Sequence, residues 1–215
     1  MNCRQLAKVR DDSVITFLKK VKFASTTQIA KSIFRIKNGK GKANTRLKIL
    51  ADNKKVKRYR PDGYEFVYYL DEKSQKIDHW LQLTEVYISL EIIIRKYSWY
   101  EIEHWIPEIS LKTIQPDVLF FLRNKERDTY KKFFIEIDRD GKLKNKMLEY
   151  ETYVMSRDWF NEWWARKPGE KDYRFPKVIA ITDHKNDILK RNKMGLFYPI
   201  TLSEFVLNPL KIVGG

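Results

Sequence analysis

Gln115-Pro-Asp-Val-Leu-Phe-Phe-Leu122 and Lys132-Phe-Phe-Ile-Glu-Ile-Asp138 are two apolar runs rich in Phe, each short enough for a strand. Between them lies a charged turn with Asn124, Lys125, Glu126, Arg127 and Asp128. Two such runs around a polar turn read as a β-hairpin. Asp117 opens the first strand. Glu136 and Asp138 stand two apart near the end of the second, so they share a face. Three carboxylates amid Phe and Ile therefore converge on one edge of a small sheet.

Charge divides the chain. Residues 1–70 hold 18 Lys and Arg against 5 Asp and Glu, a formal +13, leaving only +2 of the total +15 for the other 145 residues. This asymmetry implies a basic nucleic-acid-binding segment joined to a near-neutral domain. The cations fall at turns and hairpins rather than along one amphipathic helix, which argues against a membrane surface. At 215 residues and 43% hydrophobic the chain can bury a real core. Its single cysteine, Cys3, permits no intrachain disulfide and fits a reducing cytoplasm. No apolar run reaches the length of a membrane span, and the first residues lack a signal-peptide core.

From the start, Asp11 and Asp12 precede Val14, Ile15, Phe17 and Leu18, the spacing of a helix that ends near Val21. Ser25 and Gln28 form a capping box for a second helix, Thr26 to about Phe34. A loop, Asn38-Gly-Lys-Gly41, leads to a third helix from about Ala43 to Asp52 that buries Leu47, Ile49 and Leu50. Lys54 to Arg60 and Tyr64 to Leu70 then flank Pro61-Asp-Gly63, a hairpin signal.

Three helices and a hairpin, with Thr26-Thr-Gln-Ile-Ala-Lys31 and Arg46-Leu-Lys-Ile-Leu50 followed by Val56-Lys-Arg58, resemble a winged helix-turn-helix. That resemblance implies double-stranded DNA as partner and a third helix in its major groove, with Lys42, Asn44, Thr45, Arg46 and Lys48 on or near the bases. It implies that Lys54, Lys55, Lys57, Arg58 and Arg60 meet phosphates. Thr26, Thr27 and Gln28, at a helix N-terminus, are natural phosphate contacts as well.

A polar join, Asp71 to Lys76, places the domain boundary near residue 73: 1–72 form the winged helix-turn-helix and 73–215 a second, α/β domain. A helix from His79 carries Trp80, Leu83, Val86, Tyr87, Leu90, Ile93 and Ile94, with Glu85 and Glu91 read as ion-paired or solvated. Ser98 to Trp105 alternates as a strand, ended by Pro107. After the central hairpin come a helix from Lys142 to about Arg157 with Leu143, Met147, Tyr150 and Val154 inward, and an aromatic segment at Trp159, Phe160, Trp163 and Trp164. It leads into a loop through Pro168-Gly169. A buried strand follows at Lys177–Thr182, then a helix at Asp187–Lys193, a strand at 196–200 and a short helix from 201.

The order helix, three strands, helix, strand, helix, strand, with Pro116-Asp117 and Glu136-x-Asp138, resembles the PD-(D/E)xK nuclease core. The fold class is therefore α+β. The resemblance implies that Asp117 and Glu136 bind a divalent metal, Mg²⁺, which activates water and stabilises charge on phosphate. Asp138 occupies the place of the family's lysine. Either that lysine has moved to the next helix, at Lys142 or Lys146, or Asp138 is a third metal ligand, or the site is a relic.

Taken whole, Gln28-Ile-Ala30, Gln115-Pro-Asp-Val118, Phe134-Ile-Glu-Ile-Asp-Arg139 and Lys146-Met-Leu-Glu-Tyr150 resemble the replication-relaxation family of plasmids and integrative elements. The family's usual form is Glu-x-Asp, and it implies DNA binding in replication or mobilisation, with a replication or transfer protein as a further partner. His79, His104 and His184 are too scattered for the paired metal ligands of a tyrosine relaxase. There is no phosphate-binding Gly-rich loop and no cysteine cluster for zinc. Two readings stand: a DNA-binding factor, as monomer or homodimer, and a metal-dependent endonuclease using Asp117, Glu136 and either Asp138 or a helix lysine.

Overall fold

The quoted stretch is a hairpin in the computed structural model, which describes residues 3–35, 38–166 and 173–213. Its strands are Val118–Asn124 and Thr129–Asp138, paired antiparallel from Val118 opposite Ile135 to Asn124 opposite Thr129. Among the described residues the chain is α+β and falls into two compact units, 1–92 and 93–215.

The first unit holds α1 (Cys3–Val21), β1 (Phe23–Ser25), α2 (Thr26–Ser32), α3 (Gly39–Asp52), β2 (Lys57–Tyr59), β3 (Val67–Tyr69) and most of α4 (Ile77–Lys96), whose last four residues lie past the division at Ile92. The three short strands form an antiparallel sheet in the order β1-β3-β2. Ser25 and Gln28 make the expected capping box: the Gln28 amide donates to Ser25 Oγ at 3.2 Å, and the Ser25 amide to Gln28 Oε1 at 3.1 Å.

Three features depart from the sequence reading. α1 begins at Cys3, so Asp11 lies mid-helix, buried, and forms an ion pair with Arg46 on α3. α3 begins at Gly39 rather than Ala43, because a Cβ at Gly39 would lie 2.0 Å from the Phe34 carbonyl oxygen, an approach only glycine permits. Ile49, expected inside, is exposed on α3.

Helix α4 packs on α2 through polar groups. Gln28 Nε2 donates to Leu81 O at 2.8 Å, Lys31 pairs with Glu85 at 2.8 Å, and Ser32 donates to Glu91 at 2.9 Å. The sequence puts the domain join near 73. The compact units divide at 92 because these bonds and the buried Trp80, Leu83 and Val86 tie α4 to the N-terminal helices.

The second unit is a five-stranded mixed sheet, β4-β5-β6-β7-β8, with β4 at Tyr100–Pro107, the hairpin as β5 and β6, β7 at Lys177–Thr182 and β8 at Phe197–Ile200. The first three strands run antiparallel; β7 and β8 add in parallel to β6. Helix α5 (Leu143–Ser156) covers one face, packing Met147, Tyr150 and Tyr153 against Leu119, Phe121, Phe134 and Ala180. Tyr153 takes the inward place that the sequence assigns to Val154. A short 3-10 helix (Asp158–Asn161), α6 (Lys185–Arg191), α7 (Leu202–Leu207) and a final 3-10 turn (Pro209–Val213) complete the unit. The loop at Pro168-Gly169 and the terminal glycines lie outside the described residues. No described helix is long and apolar enough to cross a membrane.

Candidate functional site

The carboxylates meet where β6 runs under the start of α5. Glu136 and Asp138 point to the same face, as their spacing requires. Glu136 is only 3% exposed. Its Oε1 accepts from the Tyr150 hydroxyl at 2.6 Å, and its Oε2 lies 3.2 Å from Lys146 Nζ. Lys146 and Tyr150 are four apart on α5 and so rise from one face of the helix. Asp117, just before β5, is held by its main chain, with its amide donating to Ile135 O at 3.1 Å. Its Oδ2 accepts the Ile137 amide at 2.7 Å, which brings it beside Glu136.

The electrostatics follow from this packing. Burial, with Asp117 adding negative charge nearby, pushes the Glu136 carboxyl up to about 7, against the opposing pull of Lys146 and Tyr150. Burial lowers the Lys146 ammonium, but Glu136 and Asp117 outweigh it and its pKa is raised. Burial and then Glu136 hold the Tyr150 hydroxyl far above the ordinary phenol range. Near neutral pH the cluster thus shares a carboxyl poised between forms, a cation and a hydroxyl donor.

Asp138 does something else. Its Oδ1 accepts the amides of Lys142 and Leu143 at 2.8 and 3.1 Å, and its Oδ2 accepts from Thr182 Oγ1 at 3.2 Å. It thereby satisfies orphan N–H groups at the start of α5, whose own flanking residue, Lys142, supplies no side-chain cap. The Lys142 ammonium pairs with Asp140 at 3.3 Å, away from the cluster. Of the two candidate lysines, Lys146 is the one at Glu136.

Among the described residues no group of three or more His, Cys, Asp or Glu side chains is arranged to hold a metal ion. Mg²⁺ commonly keeps several waters and takes only one or two protein carboxylates plus substrate phosphate. Asp117 and Glu136 supply that number of carboxylates, with both Glu136 oxygens engaged by Tyr150 and Lys146 and those of Asp138 by α5 and Thr182.

The first unit presents a different surface. Lys42, Asn44, Thr45 and Lys48 are exposed along one side of α3, and Lys54, Lys55, Lys57 and Arg60 are exposed at and before the hairpin. Arg58 is half-buried over the Phe66 ring, 4.7 Å from its centroid. Lys57 donates to the Asp71 carbonyl and Arg60 to Tyr64 O at 2.9 Å.

Four of the expected contact residues turn inward. The Arg46 guanidinium is held by both oxygens of Asp11. Thr26 and Gln28 are buried, Gln28 being spent on the capping box and α4. Thr27 gives its amide and hydroxyl to Glu65, at 3.1 and 3.0 Å. Glu65 thus occupies the start of α2, the place the sequence assigns to a phosphate. Sequence reasoning missed Glu65, Asp11, Tyr150 and Thr182. Only Tyr150 carried a signal, its i, i+4 spacing from Lys146.

The class defined by fold and site is an α+β protein with a buried carboxylate–lysine–tyrosine cluster under one helix of a mixed sheet. Residues 72–162, which span α4 to the short 3-10 helix, match the family model described as replication-relaxation. Over this segment the chain is similar to the replication-relaxation family. Asp117, Glu136, Asp138, Lys146 and Tyr150 all lie within the matched residues; the basic residues 26–60 lie before them. Neither curated proteins nor solved structures gave a match.

Proposed function

We propose that the protein is a cytoplasmic DNA-binding factor of a plasmid or mobile element, acting in its replication or mobilisation. In this reading the first unit is a winged helix-turn-helix that grips duplex DNA, and the second has a PD-(D/E)xK nuclease-like architecture. The observation that carries it is the outward side of α3. Lys42, Asn44, Thr45 and Lys48 are exposed there, and Lys54 and Lys55 follow the helix, within a segment of formal charge +13. An exposed helix offering an amide, a hydroxyl and two ammonium groups supplies donors for base edges and phosphates together. The exposed Ile49 adds an apolar group of the kind that meets a thymine methyl. Arg46, Thr26, Thr27 and Gln28 have no contact role in this reading; they hold the unit together.

A second reading, a metal-dependent DNA endonuclease, is favoured by one observation: Lys146 stands against Glu136, beside Asp117, where a migrated nuclease lysine would be needed. Asp117 and Glu136 would hold Mg²⁺, which when bound would activate water and stabilise charge on phosphate. Glu136 would have to lose its proton first, and Lys146 would offset the carboxylate charge next to an incoming phosphate.

Incubation of wild type and Glu136→Ala with a supercoiled plasmid bearing the element's origin, in Mg²⁺, Mn²⁺ or EDTA, separates the two. A metal-indifferent mobility shift, equal in both proteins and without cutting, is expected for the binding factor. Metal-dependent nicking that disappears in the variant would replace it with the endonuclease.

A further inference from the structure

The aromatic segment after α5 takes no part in either reading, yet it sorts its rings into two sets. Trp159 and Trp164 are buried and stack in the core with planes 3° apart. Phe160 and Trp163, from the same short segment, face out at 37% and 55% exposure, and Tyr173 at 41%. Phe160 and Tyr173 stack on one another, with centroids 4.6 Å apart and planes 23° apart. Trp163 lies over Phe121 at 5.8 Å and leaves much of its ring in solvent.

Two guanidiniums flank the Phe160–Tyr173 pair. Arg157 stands 6.0 Å from the Phe160 centroid and Arg166 5.7 Å from that of Tyr173. No ion pair among the described residues neutralises either. Among the described acids close by in sequence, Asp158 pairs with Lys112 at 2.9 Å, and Glu162 accepts from Tyr153.

Exposed rings that adjoin one another, unlike singly exposed apolar side chains, mark interaction sites. Rings alternating with cations suit a flat, π-faced, negatively charged chain. We infer that Phe160 and Tyr173, with Arg157 and Arg166, form a stacking platform for unpaired bases of single-stranded DNA. Base–aromatic stacking is tolerant of sequence, and arginine adds backbone charge and cation–π contact. A protein partner would also bury rings, but it does not require that bound material be both π-faced and uniformly anionic, as a single strand is. The inference does not depend on duplex binding by the first unit.

The test uses the full chain and two labelled strands of equal length and charge, an oligothymidylate and its abasic counterpart. Stacking requires on the order of tenfold or more tighter binding of the thymine strand. Phe160→Leu/Tyr173→Leu should erase that preference while duplex affinity and melting temperature hold. The exposed charge reversals Arg157→Glu/Arg166→Glu should weaken the thymine strand and spare the duplex. Equal binding of the two strands by wild type overturns the platform and leaves the patch to a protein partner. So does a preference that survives in the ring variant.

Discussion

Lys146 Nζ lies 3.2 Å from Glu136 Oε2, and the Tyr150 hydroxyl grips the other oxygen of the same carboxyl. One helix face thus supplies a cation and a neutral donor to a single buried acid. The cation partly offsets the burial and the nearby Asp117 charge, yet the net push on Glu136 is upward.

That push sets a pH dependence. The folded carboxyl keeps its proton to about 7, against an ordinary value of 4.5. Between those values the native state binds more protons than the unfolded one. Stability therefore falls as pH rises through this window, by on the order of 3 kcal/mol at most. Urea unfolding at intervals from pH 5 to pH 8 should show the fall in wild type and not in Glu136→Gln. A wild-type curve that is flat or rises would rule out the buried acid as described.

Asp138 should behave as a helix cap. Asp138→Ala strands two amides of α5 and is expected to cost about 1–2 kcal/mol in denaturant unfolding. Asp138→Asn keeps an acceptor for those amides but gives up the charge and the bond accepted from Thr182 Oγ1, so its cost should be about 1 kcal/mol, at or below that of Ala. The wrong order, with Asn worse than Ala, would count against capping.

Arg46 should matter for folding more than for DNA sequence preference. Its partner Asp11 is 5% exposed, so Arg46→Met leaves a carboxylate with little water to turn to. Because the Arg46 side chain is itself 29% exposed, the expected loss is about 2 kcal/mol, below that of a fully buried pair. A double-mutant cycle with Asp11→Asn in urea measures the coupling. Among folded molecules, the rank order of binding to variant sites should not change.

The exposed lysines should register in the salt dependence. Replacing Lys54 or Lys55 with Ala is expected to weaken binding to all duplexes alike. Each change should lower the slope of log K against log salt by about one, the share of a single neutralised phosphate. Fluorescence anisotropy over a salt series reads this directly. An unchanged slope in both variants would move the DNA interface elsewhere.

What could be read beforehand follows from the range of each interaction. The central hairpin, α5 and β7 carry their own period-two, helical or continuous apolar patterns, and the structure has them within a few residues. The Ser25–Gln28 box spans three residues and is equally legible. Asp117 and Glu136 stand out because acids rarely sit among Phe and Ile. β1 does not stand out: its three residues, Phe23–Ser25, are too few for a period and are a strand only through pairing with β3. Glu65 reaches Thr27 from 38 residues away, and Asp11 reaches Arg46 across 35. No local pattern announces such pairs, so two threonines, a glutamine and an arginine look like DNA contacts in the sequence when they are internal fastenings.

The two edges of β6 differ in a way that bears on the order of assembly. On one side it meets β5 through a tight turn; on the other, Phe133 pairs with Lys177, far along the chain. Local hairpins close quickly, and distant parallel pairings close late because the intervening loop must first be ordered. Asp138 draws one of its bonds from Thr182, at the end of that late strand. A chain emerging from the ribosome would therefore have its two acids side by side well before β7 arrives to fix Asp138.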